Sequence, residues 1–198
     1  PHPLSSDPNK MAAGSFKTIV AVSCLTIDEP GFETPTIAEG SFSTFDSTAW
    51  DVESNIFLRN PTLQNVTQGV FAVSSLNSAV YQTLGDTFGA FRTYELTIDV
   101  LSLSDVDYNA DSGFFVSIGD ETTPLFASDI FYTLDDFTLD VVQQVSVSVA
   151  VAPTDPVVVN NIRVWVDFFG TGNSPIIDNF ELCITERTST STSTSTST

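Results

Sequence analysis

Hydrophobic residues in this chain recur at every second position, and no segment sustains the 3.6-residue period of an amphipathic helix. Tyr94, Leu96, Ile98 and Val100 alternate with Thr93, Glu95, Thr97 and Asp99. Val145, Val147, Val149 and Val151 alternate with Ser146, Ser148 and Ala150, and Ile162, Val164, Val166 and Phe168 with Arg163, Trp165 and Asp167. Successive side chains of a strand point to opposite faces, so this pattern predicts strands buried on one side. Further strands are expected near residues 16–26, 50–58, 69–74, 79–84, 113–118, 124–132, 137–143 and 176–185. Turn residues separate them, among them Pro30-Gly31, Asn60-Pro61, Gly85-Asp86, Ser112-Gly113 and the stretch Gly170 to Pro175. About ten such strands argue for an all-β fold, a two-sheet antiparallel jelly-roll sandwich.

The 198 residues suit one domain. Pro1 to Gly14 hold three prolines and read as an arm or a tag remnant, residues 15–187 as the sandwich, and Thr188 to Thr198, strictly alternating Thr and Ser, as a tail or linker. In secreted proteins such tracts carry O-linked sugars, which makes Thr188, Ser189 and Thr190 modification candidates. The apolar run Thr18 to Ile27 is shorter than a membrane span and alternates like a strand, so no membrane insertion is expected.

Charge narrows the partners. There are 25 Asp+Glu against 6 Lys+Arg, a formal net charge of −19. A basic footprint for nucleic acid or anionic lipid is missing from this composition. The single histidine, His2, excludes a multi-histidine metal site and a histidine-based triad in the core. Cys24 and Cys183 fall in the first and last strong strands. A disulfide between them is expected, because the tail and the low lysine content point to secretion; two buried free thiols are the alternative.

Several segments carry a family resemblance. Glu29-Pro-Gly-Phe-Glu-Thr-Pro35 resembles the opening of galactose-binding-like jelly rolls, a group that includes carbohydrate-binding modules. Trp50, Val80-Tyr-Gln-Thr-Leu84, Phe91 to Val100 and the closing Pro175-Ile-Ile-Asp-Asn-Phe-Glu-Leu182 follow in the order that group shows. The resemblance covers roughly residues 27 to 185 and implies the fold rather than a ligand. It also implies a structural calcium held by Glu33 and Asp178, oxygen donors of the kind Ca²⁺ takes.

Other candidates rest on the residues themselves. Asp105, Asp107, Asn109 and Asp111 put oxygen donors at every second position, a weaker calcium candidate that lacks the EF-hand glycine and closing Glu; a solvated acidic turn is the preferred reading. Trp165 should point away from the core with Arg163 and Asp167. That suits a subunit contact or a covering loop, and next a platform for stacking on sugar. Trp50 reads as core. Asn65-Val66-Thr67 is the N-glycosylation sequon.

No residue pair stands out as catalytic, and no phosphate loop or nucleophile elbow is present. The expectation is therefore a non-catalytic extracellular or cell-surface protein. It would be a filament or layer subunit, polymerising with copies of itself by adding the strand Ser15 to Leu25 to a neighbour's sheet. The alternative is a polysaccharide-binding or adhesion module joined by its tail to a further domain.

Overall fold

The computed structural model describes residues 19–28, 30–32, 38, 41–45, 47–53, 56–59, 71–74, 76–104, 111–121, 130–171 and 175–188. Its strands are β1 (Ile19–Leu25), β2 (Phe42–Thr44), β3 (Asp51–Val52), β4 (Ile56–Arg59), β5 (Phe71–Ser74), β6 (Leu76–Thr87), β7 (Arg92–Leu101), β8 (Gly113–Asp120), β9 (Ile130–Thr133), β10 (Val142–Val151), β11 (Asn161–Thr171) and β12 (Ile176–Thr188). One sheet runs β10-β7-β12-β5-β4-β2, with β1 also paired to β12; the other runs β3-β6-β11-β8-β9. The pairs are antiparallel. The long strands divide between the sheets, β7, β10 and β12 in one and β6, β8 and β11 in the other, so the chain crosses the sandwich repeatedly, as a jelly roll requires.

The alternation read from the sequence decides what lies between the sheets. Leu96, Ile98 and Val100 of β7 and Leu182 of β12 meet Val80 of β6, Val116 and Ile118 of β8, and Val164, Val166 and Phe168 of β11, all fully buried. Each such side chain contributes roughly 1.5–3 kcal/mol of transfer free energy. An aromatic cluster closes one end. Phe32, Trp50 and Phe180 pack with ring centroids 4.6–5.7 Å apart, and the Phe180 N–H donates to the Pro30 carbonyl at 3.0 Å. Thus the opening and closing segments of the resemblance meet in space, and Trp50 is core at 3% exposure.

Two strand expectations change, and a third falls largely on residues that are not described. The stretch 50–58 is two strands, β3 in one sheet and β4 in the other, because the chain crosses the sandwich between them. The stretch 137–143 is mostly a turn. A 3-10 segment, Leu134–Asp136, precedes it, the Asp136 carboxylate accepts the Thr133 N–H at 2.7 Å, and Asp140 takes a left-handed φ of 60°. Residues 122–129 lie outside the described residues, and β9 begins at Ile130.

The strand expected to add to a neighbour's sheet is used at home. β1 pairs with β12 of its own chain over Ile19↔Thr188 to Leu25↔Leu182. One pair from the end of that register Cys24 faces Cys183, and the two form a disulfide. Pairing within the chain satisfies the β1 ladder on the β12 side, so that edge is already used by this chain's own strand.

Candidate functional site

β11 carries buried residues on one phase and Arg163, Trp165, Asp167 and Phe169 on the other, which faces away from the sandwich core. Strand register then decides their neighbours. Trp165 lies between Tyr81 of β6 and Ser117 of β8, and Asp51 of β3 lies opposite Tyr81 on its other side. In the next row Asp167 lies between Ala79 and Phe115, and Phe131 of β9 lies beyond Phe115. The Glu53 N–H donates to the Ala79 carbonyl at 3.0 Å, which fixes Glu53 at the edge of this face.

The outer face therefore collects aromatic rings beside carboxylates. Phe115, Phe131 and Phe169 form a triad with ring centroids 4.7–5.4 Å apart. Gly113 permits the close approach of β9: a Cβ there would sit 2.5 Å from the Tyr132 carbonyl oxygen and 2.7 Å from the Phe131 ring. Next to the triad is a hollow of about 140 Å³ lined by Glu53, Ala79, Tyr81, Asp120, Glu121, Arg163 and Trp165. Arg163 Nε donates to Thr83 Oγ1 at 3.0 Å, and its guanidinium carbon stands 4.6 Å above the centre of the Tyr81 ring. Asp120 is buried and its Oδ2 accepts from Asn160 Nδ2 at 2.8 Å. A hollow of about 230 Å³ on the other sheet is lined by Phe91, Arg92, Thr93 and Ala150 to Ala152, with no carboxylate among these described residues.

The other sequence candidates lie elsewhere. Asp178 is 1% exposed, two residues from the Phe180–Pro30 junction. A buried carboxylate is the kind of oxygen donor that a hard cation takes. Its expected partner Glu33 lies outside the described residues, as do Asp105, Asp107, Asn109, Asn65, Ser189 and Thr190. Asp111 is exposed, and Thr188 is the last residue of β12. Among the described residues, Cys24, Glu181 and Cys183 bring three potential metal ligands within 4.8 Å, but both sulfurs are joined in the disulfide.

Sequence reasoning missed Tyr81, Phe115, Phe131, Phe169, Glu53, Asp120 and Glu121. The alternation places Tyr81 and Phe115 on the outward phases of their strands, but nothing local says that both flank β11.

The family model described as HpiC1 cyclase matches residues 23–166. No curated protein matches the chain. The Stig cyclase Fisc from Fischerella sp. TAU, in complex with (3Z)-3-(1-methyl-2-pyrrolidinylidene)-3H-indole, is similar in structure with a TM-score of 0.66 at 15% identity, covering 83% of this chain and 98% of that one. An apo cyclase from Fischerella sp. gives 0.65 at 17% identity over 82% and 96%. The module TmCBM61, in complex with beta-1,4-galactotriose, gives 0.52 at 14% identity over 78% and 94%. These likenesses agree with the jelly-roll resemblance read from the sequence.

The family match overturns two expectations, that the chain is a non-catalytic filament subunit and that it is not an enzyme. The physical reason is that the exclusions used were too narrow. Lacking a nucleophile elbow and a histidine triad rules out acyl transfer of those kinds. It leaves open chemistry that needs only a shaped surface, a stabilised charge and a carboxyl group.

Proposed function

The chain belongs to the HpiC1-like cyclase family, and from that premise we propose that it closes a ring in a small conjugated substrate held on the outer face of the five-stranded sheet. The observation that carries this reading is the row Asp51–Tyr81–Trp165, with the Phe115/Phe131/Phe169 triad beside it and Glu53 and Asp120 lining the hollow. Flat rings bury conjugated substrate by offset or edge contact. Ring closure by isomerisation needs no oxidant. A carboxylic acid adds a proton to one π bond, a second π bond attacks the resulting cation to form the new carbon–carbon bond, and a carboxylate removes a proton. Product and substrate then have the same formula. Glu53 and Asp120 are the groups available to give and take that proton, and the faces of Tyr81 and Trp165 stabilise the intervening cation.

The indole ligand of the Stig cyclase supports an alkenyl indole as the first substrate to test. Conversion to an isomer of unchanged mass with one new ring, seen by mass spectrometry and NMR, is the expected result. Trp165→Ala should lower kcat/KM about tenfold or more, the loss of a cation–π contact together with ring packing. The sugar-bound module of the same fold supports a second reading, a carbohydrate-binding surface on the same aromatic face. Binding of β-1,4-galactotriose with no ring-closed isomer from any alkenyl arene would overturn the cyclase assignment to this face.

A structural calcium involving Asp178 and Glu33 belongs to the same reading, as a stabiliser of the opening loop away from the aromatic face. The disulfide and the Ser/Thr tail support a secreted setting.

A further inference from the structure

The hollow on the aromatic face is unbalanced in charge. Glu53, Asp120 and Glu121 line it, and Asp51 and Asp167 flank its two aromatic residues along the strand register. Among the described residues of the lining, Arg163 is the cation. Its place is informative. Held at Nε by Thr83, it lays its guanidinium over Tyr81, which is where a ring quadrupole attracts positive charge. The protein thus shows a cation seated on this ring, supplied by its own chain. Trp165, the cross-strand neighbour of Tyr81, is a second flat ring in the lining. Asp120 is buried and its Oδ2 accepts from Asn160, whereas Glu53, Glu121 and Asp51 are exposed. The whole chain, at −19, adds a negative field that draws cations toward such a hollow.

We propose that this hollow selects aromatic ligands that carry a protonated amine, and that Arg163 occupies the ligand's cation position in the free protein. The inference rests on the aromatic-face reading above and adds the charge of the ligand. An aromatic ring would lie along Tyr81 and Trp165 while its ammonium displaces the guanidinium and meets the Glu53 and Glu121 carboxylates.

The test uses the full chain, with its disulfide intact, and three probes sharing one ring: tryptamine, 3-ethylindole and indole-3-propanoate. Binding is measured by calorimetry at neutral pH. Tryptamine should bind about tenfold more tightly than 3-ethylindole, with the propanoate weakest, and the gap should narrow as salt rises from about 0.05 to about 0.5 M. Glu121→Gln and Asp51→Asn should each weaken tryptamine about two- to threefold and leave 3-ethylindole unchanged, which also reports that the variants are folded. Arg163→Met should tighten tryptamine, because the competing cation is gone. Equal affinity for the three probes would overturn charge selection while leaving the aromatic site in place. Propanoate binding most tightly, and lost in Arg163→Met, would overturn it in favour of an anion site. Failure of all three to bind would overturn the aromatic-face reading and this inference with it.

Discussion

Gln82 is a buried amide at 5% exposure, on the inward phase of β6 opposite Val164. Its Oε1 accepts from the Asp28 N–H at 3.0 Å, and its Nε2 donates to the carbonyls of Asp28 at 2.9 Å and Ala49 at 3.1 Å. One side chain therefore ties the segment after β1 and the segment before β3 to the five-stranded sheet. Gln82→Leu keeps the volume and removes all three bonds. A typical net bond is worth about 1 kcal/mol, and a buried group left unpaired costs about 1–3 kcal/mol. Asp28 is exposed, so water recovers part of its loss, whereas Ala49 is half-buried. The expected destabilisation is about 2–4 kcal/mol, a large share of a typical total of about 5–15 kcal/mol. For a chain of this size that lowers Tm by roughly 5–15 °C. Gln82→Glu keeps the acceptor but sets a carboxylate against two carbonyls, so at neutral pH it should lose at least as much and regain part of it in acid. Urea unfolding of the three proteins, followed by tryptophan fluorescence, measures this. Asp51 and Glu53 lie two and four residues after Ala49, so tryptamine affinity should fall with stability. If both variants stay within about 0.5 kcal/mol of the parent, the loops are held by the Phe32/Trp50/Phe180 packing alone and the hydrogen-bond argument is wrong.

The Cys24–Cys183 bond closes a loop of sequence separation 159, for which loop entropy predicts up to about 5 kcal/mol. The double Ser variant should approach that loss in urea unfolding, and a loss under about 1 kcal/mol would show that the denatured chain is little freed by reduction. Gly113→Ala should cost about 1–3 kcal/mol and weaken ring binding, since the new methyl meets the Tyr132 carbonyl and the Phe131 ring; unchanged stability with unchanged binding would sink the close-approach argument. Burial, then the Asp136 carboxylate, raises the Tyr132 phenol, which favours its neutral form in the fold. That contribution is full below the ordinary tyrosine value of about 10 and is lost as pH rises above it, a loss Tyr132→Phe should lack. Hydrogen bonds from the Ser104 side chain and N–H lower the Asp140 carboxyl, so its contribution is present above the ordinary value of about 3.9 and is lost as pH falls below it. Millimolar calcium should raise Tm, and Asp178→Asn should remove the rise; no shift in the parent protein would count against a calcium at this junction.

Period two along β7, β10 and β11 determined by itself that this chain is a sandwich and which side chains fill it, because a strand's facing is a local property of its own residues. The buried phase Ile162, Val164, Val166, Phe168 and the buried Trp50 were legible in that way. Trp165, Arg163 and Asp167 were legible as an outward group, but not as part of a site, since the residues that complete it come from other strands. Tyr81 reaches Trp165 because β6 pairs with β11, some 80 residues away in sequence, and Phe131 reaches Phe115 and Phe169 through β8 and β9. The same holds for β1. Its composition suits strand addition, and only its pairing with β12 shows that the partner is its own chain. Lateral order in a sheet is set by long-range pairing and by where the chain crosses the sandwich, neither of which leaves a periodic signal. The sequence thus decided what is buried, and the tertiary structure decided which outward-facing residues stand side by side.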